Sequence, residues 1–422
     1  MKIVVIGSGL IGIATAYFLG CRGHEVTVID QEPGPGRGTS FANGSLLTPS
    51  MSEPWNAPGS WRVLLASLGR PDSAMQLRLR AVPSLAGWGI EFLRNSTPAI
   101  YRQNSLNNLR LARHSLAVTH SLRQEIDLDY DNAAAGSLRI FRDPAALERA
   151  VASASTLTSQ GLRLRTLSRA QAVELEPGLE PIAAGLAGAI HYEDDETGNA
   201  YEFCLALAEQ ARRRGVTFLF GVQAAGLESR SARVTAVRSH CGRLFTADRY
   251  VVAAGSYSTP LLRSVGIRLP VRPVKGYSIT IDTSGTPRGL DIPVVDDDLH
   301  AVVVPLANAI RVAGTAEFTG YDLRPNATRT HNLLGLLRAV LPRKQFDSGS
   351  AKPWCGLRAM AADGVPLVGT TRISNLLVST GHGHLGWTMA AGSGQLLAEL
   401  ICGETPSIDP AAFAPTRFAA GL

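Results

Sequence analysis

Three glycines near the start of the chain stand at a spacing that can do chemistry. In "MKIVVIGSGLIGIATAYFLGCRGHEVTVID", Gly7, Gly9 and Gly12 form G-x-G-x-x-G directly after the β-branched run Ile3-Val4-Val5-Ile6. Gly7 permits a tight turn out of the strand, Gly9 lets a diphosphate approach the backbone, and Gly12 lets the next helix pack closely on the strand. The diphosphate then rests on the positive end of that helix, where unpaired backbone N–H groups point at it. A second β-branched run, Val26-Thr27-Val28-Ile29, ends in Asp30, and an acid there accepts hydrogen bonds from the ribose hydroxyls of an adenosine. Glycines alone also mark ordinary turns. Strand, glycines, helix, second strand and acid, at a spacing of about 20 residues, together point to a dinucleotide. Asp30 disfavours a 2′-phosphate and hence NADP, which leaves NAD and FAD.

A second cluster lies in the C-terminal third. "NLLVSTGHGHLGWTMAAGSGQLLAELICG" begins as a strand from Asn375 to Thr380 and passes through Gly381 and Gly383. It then enters a helix near Gly386 that carries Ala390, Ala391, Gly392 and Gly394. A Gly-rich loop at a helix N-terminus offers N–H donors and a positive dipole end. Such a site stabilises the negative charge of a reduced flavin, in the manner of an oxyanion hole. The same glycines also suit close helix packing. "DRYVVAAGSYS" is a hydrophobic strand ending in small residues. It reads either as a tight strand-to-helix turn or, beside the N-terminal pattern, as a second cofactor contact. Metal chemistry is disfavoured. The five cysteines (Cys21, Cys204, Cys241, Cys355 and Cys402) are far apart, and His382 and His384 have no carboxylate beside them. Wide spacing and an odd count suggest reduced thiols in a cytoplasmic compartment, with core packing as the role of each.

The elements that must position these residues are legible in outline. At 422 residues the chain can hold two or three domains with substantial cores. Hydrophobic residues make up 45% and charged residues 18%, and mean hydropathy is +0.07, all compatible with a globular enzyme. The first apolar stretch is not a signal or anchor. Its helix, from about Leu10 to Gly20, is too short for a bilayer core of roughly 30 Å, and a new strand stands where a cleavage site would be. Net charge is +6, but the arginines are scattered and lack interleaved aromatics, so nucleic acid is disfavoured. Arg212-Arg213-Arg214 reads as a solvated helix end, with weak attraction to anionic lipid. Residues 31–60 form a long Gly- and Pro-rich loop, and its place after a nucleotide-binding unit suggests contact with the cofactor. Helical patterns cover about 86–127, 144–160, 200–214 and 329–341, and strands fill much of 215–316.

On these motifs the chain resembles the FAD-dependent D-amino-acid dehydrogenases, within the wider family of D-amino acid oxidase, glycine oxidase and sarcosine oxidase. The resemblance runs nearly end to end. It is carried by "VIGSGLIGIATAYFL", "TSFANGSLLTP", "EPWNAPG", "DDETGN", "AAGSYST", "PVKGYSIT", "RVAGTAEFTGY", "GLRAMAADGVPLVG" and "GHGHLGWTMAAGSGQLL". "GSGQLL" and "KGYS" mark the dehydrogenase branch. Ala359 stands where many members have proline, and His384 is an additional histidine. Both departures fall near the expected substrate pocket.

The resemblance implies roles residue by residue. Gly7, Gly9, Gly12 and Asp30 hold the ADP half of FAD. Ser40, Asn43 and Gly44 approach the ribityl chain and flavin ring, and Val222 lies near the adenine through its backbone. Gly255 caps the second contact, while His382, Gly383, Leu385 and Gly386 sit by the pyrimidine edge of the flavin. Arg358 clamps the substrate carboxylate, for which a guanidinium fork is suited because it makes two parallel charge-assisted bonds. Tyr277 either adds a hydroxyl to that carboxylate, lines the pocket, or belongs to the core.

The implied reaction passes the α-hydrogen of a D-amino acid as hydride to flavin N5, and the imino acid hydrolyses to a 2-oxo acid and ammonia. The implied fold is α/β: a Rossmann-type FAD-binding domain from 1–85, 196–262 and 350–422, interleaved with an α+β substrate domain, a mixed sheet with helices, from 86–195 and 263–349. The implied electron acceptor is a quinone or other carrier. The place of action is then the cytoplasm, with loose attachment to the inner face of the cell membrane. Other readings are oxidation of a cyclic imino acid such as D-proline, of glycine or of sarcosine, an NAD-dependent dehydrogenase, and a flavin-binding protein without chemistry.

Overall fold

The β-branched run Lys2–Ile6 forms the central strand of a parallel sheet, because its alternate residues can be buried on both faces: Ile3, Val4, Val5 and Ile6 are all buried. The computed structural model describes residues 1–60, 62, 75–78, 81–285 and 289–418. The expected segment 1–85 therefore includes residues 61, 63–74 and 79–80, which lie outside the described residues.

The first sheet is six-stranded, in the order Leu367–Thr370, Leu376–Thr380, Arg249–Val252, Lys2–Ile6, Glu25–Ile29 and Thr217–Leu219. All neighbours are parallel except the first pair. The helix Leu10–Cys21 returns the chain from the central strand to Glu25–Ile29 and is buried nearly all round, with Ile13, Ala14, Ala16 and Leu19 inaccessible. It is covered by the helix Ala390–Cys402 at very close range. A Cβ on Gly394 would stand 2.7 Å from Ala14, and one on Gly392 would stand 2.8 Å from Ser115 on the helix Pro98–Glu125. These two glycines serve helix packing. The helix itself starts at Ala390 rather than near Gly386, because a 3-10 turn, Gly383–Leu385, and a further turn intervene.

The second sheet is nine-stranded and mixed. Its order is Lys352–Ala361, Val271–Asp282, Ala309–Phe318, Ala301–Leu306, Val294–Asp296, Ser137–Phe141, Gly188–Tyr192 and Leu164–Leu167, with Met75–Leu77 pairing beside Ala309–Phe318. Its core side packs Ile279, Ile281, Val303 and Val312 against Leu333 and Leu337 of the helix Ala327–Val340. The strand Lys352–Ala361 belongs to this sheet, yet Met360 near its end bridges to His382 and so ties the two sheets together. The long loop is held at several points, among them the short ribbon of Leu46–Leu47 with Glu196–Thr197. Of the cysteines, all free, Cys204 is buried, but Cys21 and Cys241 are exposed and so are not core residues. The arginine cluster is not simply solvated either: Arg212 lies over Phe218 and Arg214 over Tyr17.

Candidate active site

The strand-to-helix turn after Lys2–Ile6 is built by its glycines. Gly7 adopts φ +111° and its missing Cβ would stand 2.5 Å from the Ala253 carbonyl oxygen; a Cβ on Gly12 would meet the Gly7 oxygen at 1.9 Å. Gly9 has no side chain with which to cap the helix it begins, and no acid lies in its first turn. Its leading amides therefore offer donors and a positive dipole end to an anion. Ser40 comes from the long loop to accept a bond from the Leu10 amide at 3.2 Å. Asp30 accepts from the Ser8 amide (2.5 Å) and hydroxyl (2.8 Å) and from the Glu32 amide (2.9 Å). Val222 is drawn to the same end by its amide, which donates to the Asp30 carbonyl at 2.8 Å.

This end opens into one cavity of about 1390 Å³ that reaches Arg358 and Trp354 at the other. Pockets for a single drug-sized molecule run from roughly 300 to 1,000 Å³, so this one has room for a dinucleotide and a substrate together. Gly7, Gly9, Asp30, Ser40, Asn43, Gly44, Val222, Gly255, Tyr277, Arg358, His382, Gly383 and Gly386 all border it. Gly12 and Leu385 do not; Gly12 packs the helix onto the turn, and Leu385 is a core residue. Asn43 turns the loop by accepting from the Ser45 amide, and the Thr380 hydroxyl donates to the Gly255 carbonyl, joining two of the bordering segments. Ser379, Thr315 and Trp387 also border the cavity, but the polar side-chain atom of each is inaccessible from it. The amides at the start of the helix Leu10–Cys21, at one end of the cavity, suit the diphosphate of FAD.

Arg358 is shaped by two glycines on neighbouring strands. A Cβ on Gly276 would stand 2.5 Å from its guanidinium carbon, so only glycine lets the side chain lie flat across Val271–Asp282. Gly356 gives the same clearance to the ring of Trp354, which a Cβ would meet at 2.2 Å. The guanidinium donates to the carbonyl of Thr315 at 3.1 Å. Thr315 has φ +58° at an irregularity in the strand register, a bulge that re-aims the backbone toward the cavity. The Trp55 ring lies 5.6 Å from the guanidinium carbon. Burial pushes the pKa of Arg358 down to about 10, with no carboxylate opposing the shift, so it stays charged at neutral pH. It is a cation in want of an anion.

Tyr277 is not beside it. Neighbouring residues of a strand point to opposite faces, and Tyr277 turns into the core with Ile279 while Gly276 faces Arg358. Its hydroxyl donates to Glu317 at 2.5 Å, and Arg78 holds the same carboxylate. Tyr277 therefore borders the cavity while its hydroxyl is held by Glu317 on the core side of the strand.

The two histidines are both neutral. Burial lowers His382 to about 3 and His384 to about 4. His382 shares a hydrogen with the Ser393 hydroxyl at 3.0 Å. His384 lies 2.9 Å from the Met51 carbonyl, which can only accept, so Nε2 carries the proton and Nδ1 keeps its lone pair. Its ring stacks on Trp55 with centroids 5.6 Å apart. Trp55, Glu53 and Tyr101 are cavity residues that sequence reasoning did not assign. The available signal was a tryptophan and an acid within a Pro-rich loop, in "EPWNAPG". Among the described residues no cluster of histidine, cysteine, aspartate and glutamate could hold a metal ion, and no helix is long and apolar enough to cross a membrane.

Comparison with known proteins agrees with this geometry. The D-amino acid dehydrogenase of Granulibacter bethesdensis is 41% identical over 422 residues, covering 99% of this chain and 100% of that protein. A D-amino acid dehydrogenase of Methylobacterium nodulans is 40% identical over 408 residues, 97% of each chain. Among solved structures, glycine oxidase from Geobacillus kaustophilus superposes with a TM-score of 0.77 at 22% identity, covering 99% of both chains. L-proline dehydrogenase from P. horikoshii also gives 0.77, at 18% identity over 99% of this chain and 97% of that one. The family model of the FAD-dependent oxidoreductases, DAO, matches residues 2–400. The chain belongs to that family and is an FAD-dependent oxidoreductase of the α/β type.

Proposed function

We propose that this chain is a D-amino acid dehydrogenase, which oxidises the α-carbon of a D-amino acid and yields a 2-oxo acid and ammonia. The observation that carries the reading is Arg358. It is a half-buried guanidinium at the end of a dinucleotide-sized cavity, with a carbonyl and an indole for neighbours and, among the described residues, no carboxylate paired with it. A substrate carboxylate completes it. The full-length relatives named D-amino acid dehydrogenase support the substrate class.

In this reading Gly7, Gly9, Asp30 and Val222 hold the ADP half of FAD, Gly12 packs the helix Leu10–Cys21 onto the turn, and the N-terminus of that helix receives the diphosphate. Ser40, Asn43, Gly44 and Gly255 border the middle of the cofactor, and the turn from His382 to Gly386 offers it backbone donors. When bound, FAD supplies the two-electron oxidant that takes the α-hydrogen as hydride. The protein orients the substrate. Arg358 fixes its carboxylate by a fork of parallel N–H donors, Trp55 and Trp354 exclude water from around it, and neutral His384 keeps a lone pair free for an N–H donor. Orientation of this kind removes much of the entropic barrier to reaction. The oxidised substrate, an imino acid, hydrolyses in water.

The reading includes a carrier of the quinone type as electron acceptor. It also includes a cytoplasmic site of action with loose attachment to an anionic membrane face. It is tested by screening purified protein anaerobically with D-amino acids, L-amino acids and cyclic imino acids, following loss of flavin absorbance. Bleaching by primary D-amino acids supports it. Bleaching confined to D-proline or hydroxy-D-proline replaces it with the cyclic imino acid reading.

A further inference from the structure

We propose that Glu53 selects the substrate side chain, and that the pocket is built for D-amino acids ending in a cation, an ammonium or a guanidinium. The inference rests on the dehydrogenase reading of Arg358 given above. Among the described residues three carboxylates line the cavity: Asp30, Glu32 and Glu53. The first two lie at the far end, where their carbonyls accept the amides of Val222 and Gly221. Glu53 is two residues before Trp55, whose ring faces the Arg358 guanidinium. It is the acid on the wall of the clamp.

Tyr101, from the first turn of the helix Pro98–Glu125, lies beside Glu53 and also borders the cavity. Arg139, which acts on both Glu53 and Tyr101 through its charge, is itself bonded to Asp297 at 2.9 Å. Glu53 also borders a second cavity of about 200 Å³, whose other charged residues are Arg139, Arg149 and Asp297.

The surroundings suit an alkyl stem with a charged head. Trp55, Trp354, His384 and Tyr101 present ring faces on which methylene groups and a cation can both rest. His384 adds no positive charge, since burial keeps it neutral. The same carboxylate opposes D-aspartate and D-glutamate, which supplies selection by repulsion as well as by attraction.

The test uses full-length flavin-loaded protein, wild type, Glu53→Gln and Tyr101→Phe. Anaerobic kcat/KM is measured for D-lysine, D-norleucine, D-alanine and D-glutamate. Dissociation constants are measured by calorimetry for 6-aminohexanoate and hexanoate, which lack an α-amino group and are not oxidised. Wild type is expected to favour D-lysine over its uncharged isostere D-norleucine by about 10- to 100-fold, the range of one charged hydrogen bond. The ω-amino acid should bind better than hexanoate by a similar factor. Glu53→Gln should abolish both preferences while leaving D-norleucine within about threefold, and Tyr101→Phe should keep them. Equal use of D-lysine and D-norleucine by wild type, or a loss in Glu53→Gln that falls equally on every substrate, overturns the role of Glu53 alone. Failure of every D-amino acid overturns the dehydrogenase reading and this inference with it.

Discussion

Arg358 and Tyr277 separate two kinds of polar residue on the same pair of strands. Arg358 lies across Gly276 with no carboxylate partner among the described residues, whereas the Tyr277 hydroxyl is spent on Glu317. Arg358→Ala should leave the fold and FAD in place but reduce kcat/KM for D-amino acids by about 30- to several-thousand-fold, since losing a buried bidentate partner costs on the order of 2–5 kcal/mol. Arg358→Lys should recover part of this, because lysine lacks the fork. Tyr277→Phe should do the reverse. It should lower stability by about 1–3 kcal/mol, the range for a hydrogen bond to a charged group, with KM unchanged. Denaturant midpoints and steady-state kinetics on the same preparations distinguish the two. The type of chemistry at Arg358 was legible because an arginine amid glycines and apolar residues has few other uses. The fate of Tyr277 was not, because one residue of register decides which face of a strand a side chain joins, and a bulge at Thr315 helps set that register.

The long loop is held in place by a buried acid. Asp195, in the segment that follows Gly188–Tyr192, accepts the Ser50 amide (3.2 Å) and hydroxyl (2.6 Å) and the Ser137 hydroxyl (2.6 Å). Ser50 belongs to the 3-10 turn Pro49–Met51, whose last carbonyl holds His384. Burial raises the Asp195 pKa to about 7, against the bonds from Ser50 and Ser137. The unfolded value is about 3.9, so the folded state holds the proton more tightly. Its contribution is complete below about pH 4 and is lost as pH rises through 7. The melting temperature should therefore fall by roughly 3 °C between pH 5 and pH 8, and Asp195→Asn, neutral throughout, should flatten that slope. An equal slope in the variant removes Asp195 as its source. At this scale the sequence showed the βαβ unit and the main helices, whose periods are long. It did not show that "GSGQ" packs against Ala14 and Ser115, since a glycine pattern looks alike whether it faces a helix or a ligand.

Over the whole molecule, the two sheets share one cavity, so the dinucleotide end and the Arg358 end are parts of a single space. The N-terminal glycines between two β-branched runs made the nucleotide-binding unit legible, and the resemblance implied the second, mixed sheet. The cavity wall was not, because Trp55, Trp354 and Tyr101 come from distant parts of the chain. Net charge is a property of this scale too. At +6 the protein should associate weakly with anionic membranes and be released by high salt, as screening shortens to about 3 Å at 1 M. Retention on membranes washed at that salt would mean an apolar contact. The most direct test of the central claim is an anaerobic titration of the FAD-loaded protein with a D-amino acid and its L-enantiomer, with product analysis. The expected result is full bleaching by the D-form alone, yielding one 2-oxo acid and one ammonium per flavin reduced. A flavin that stays oxidised with every D-amino acid, or bleaches equally with the L-form, would contradict the account.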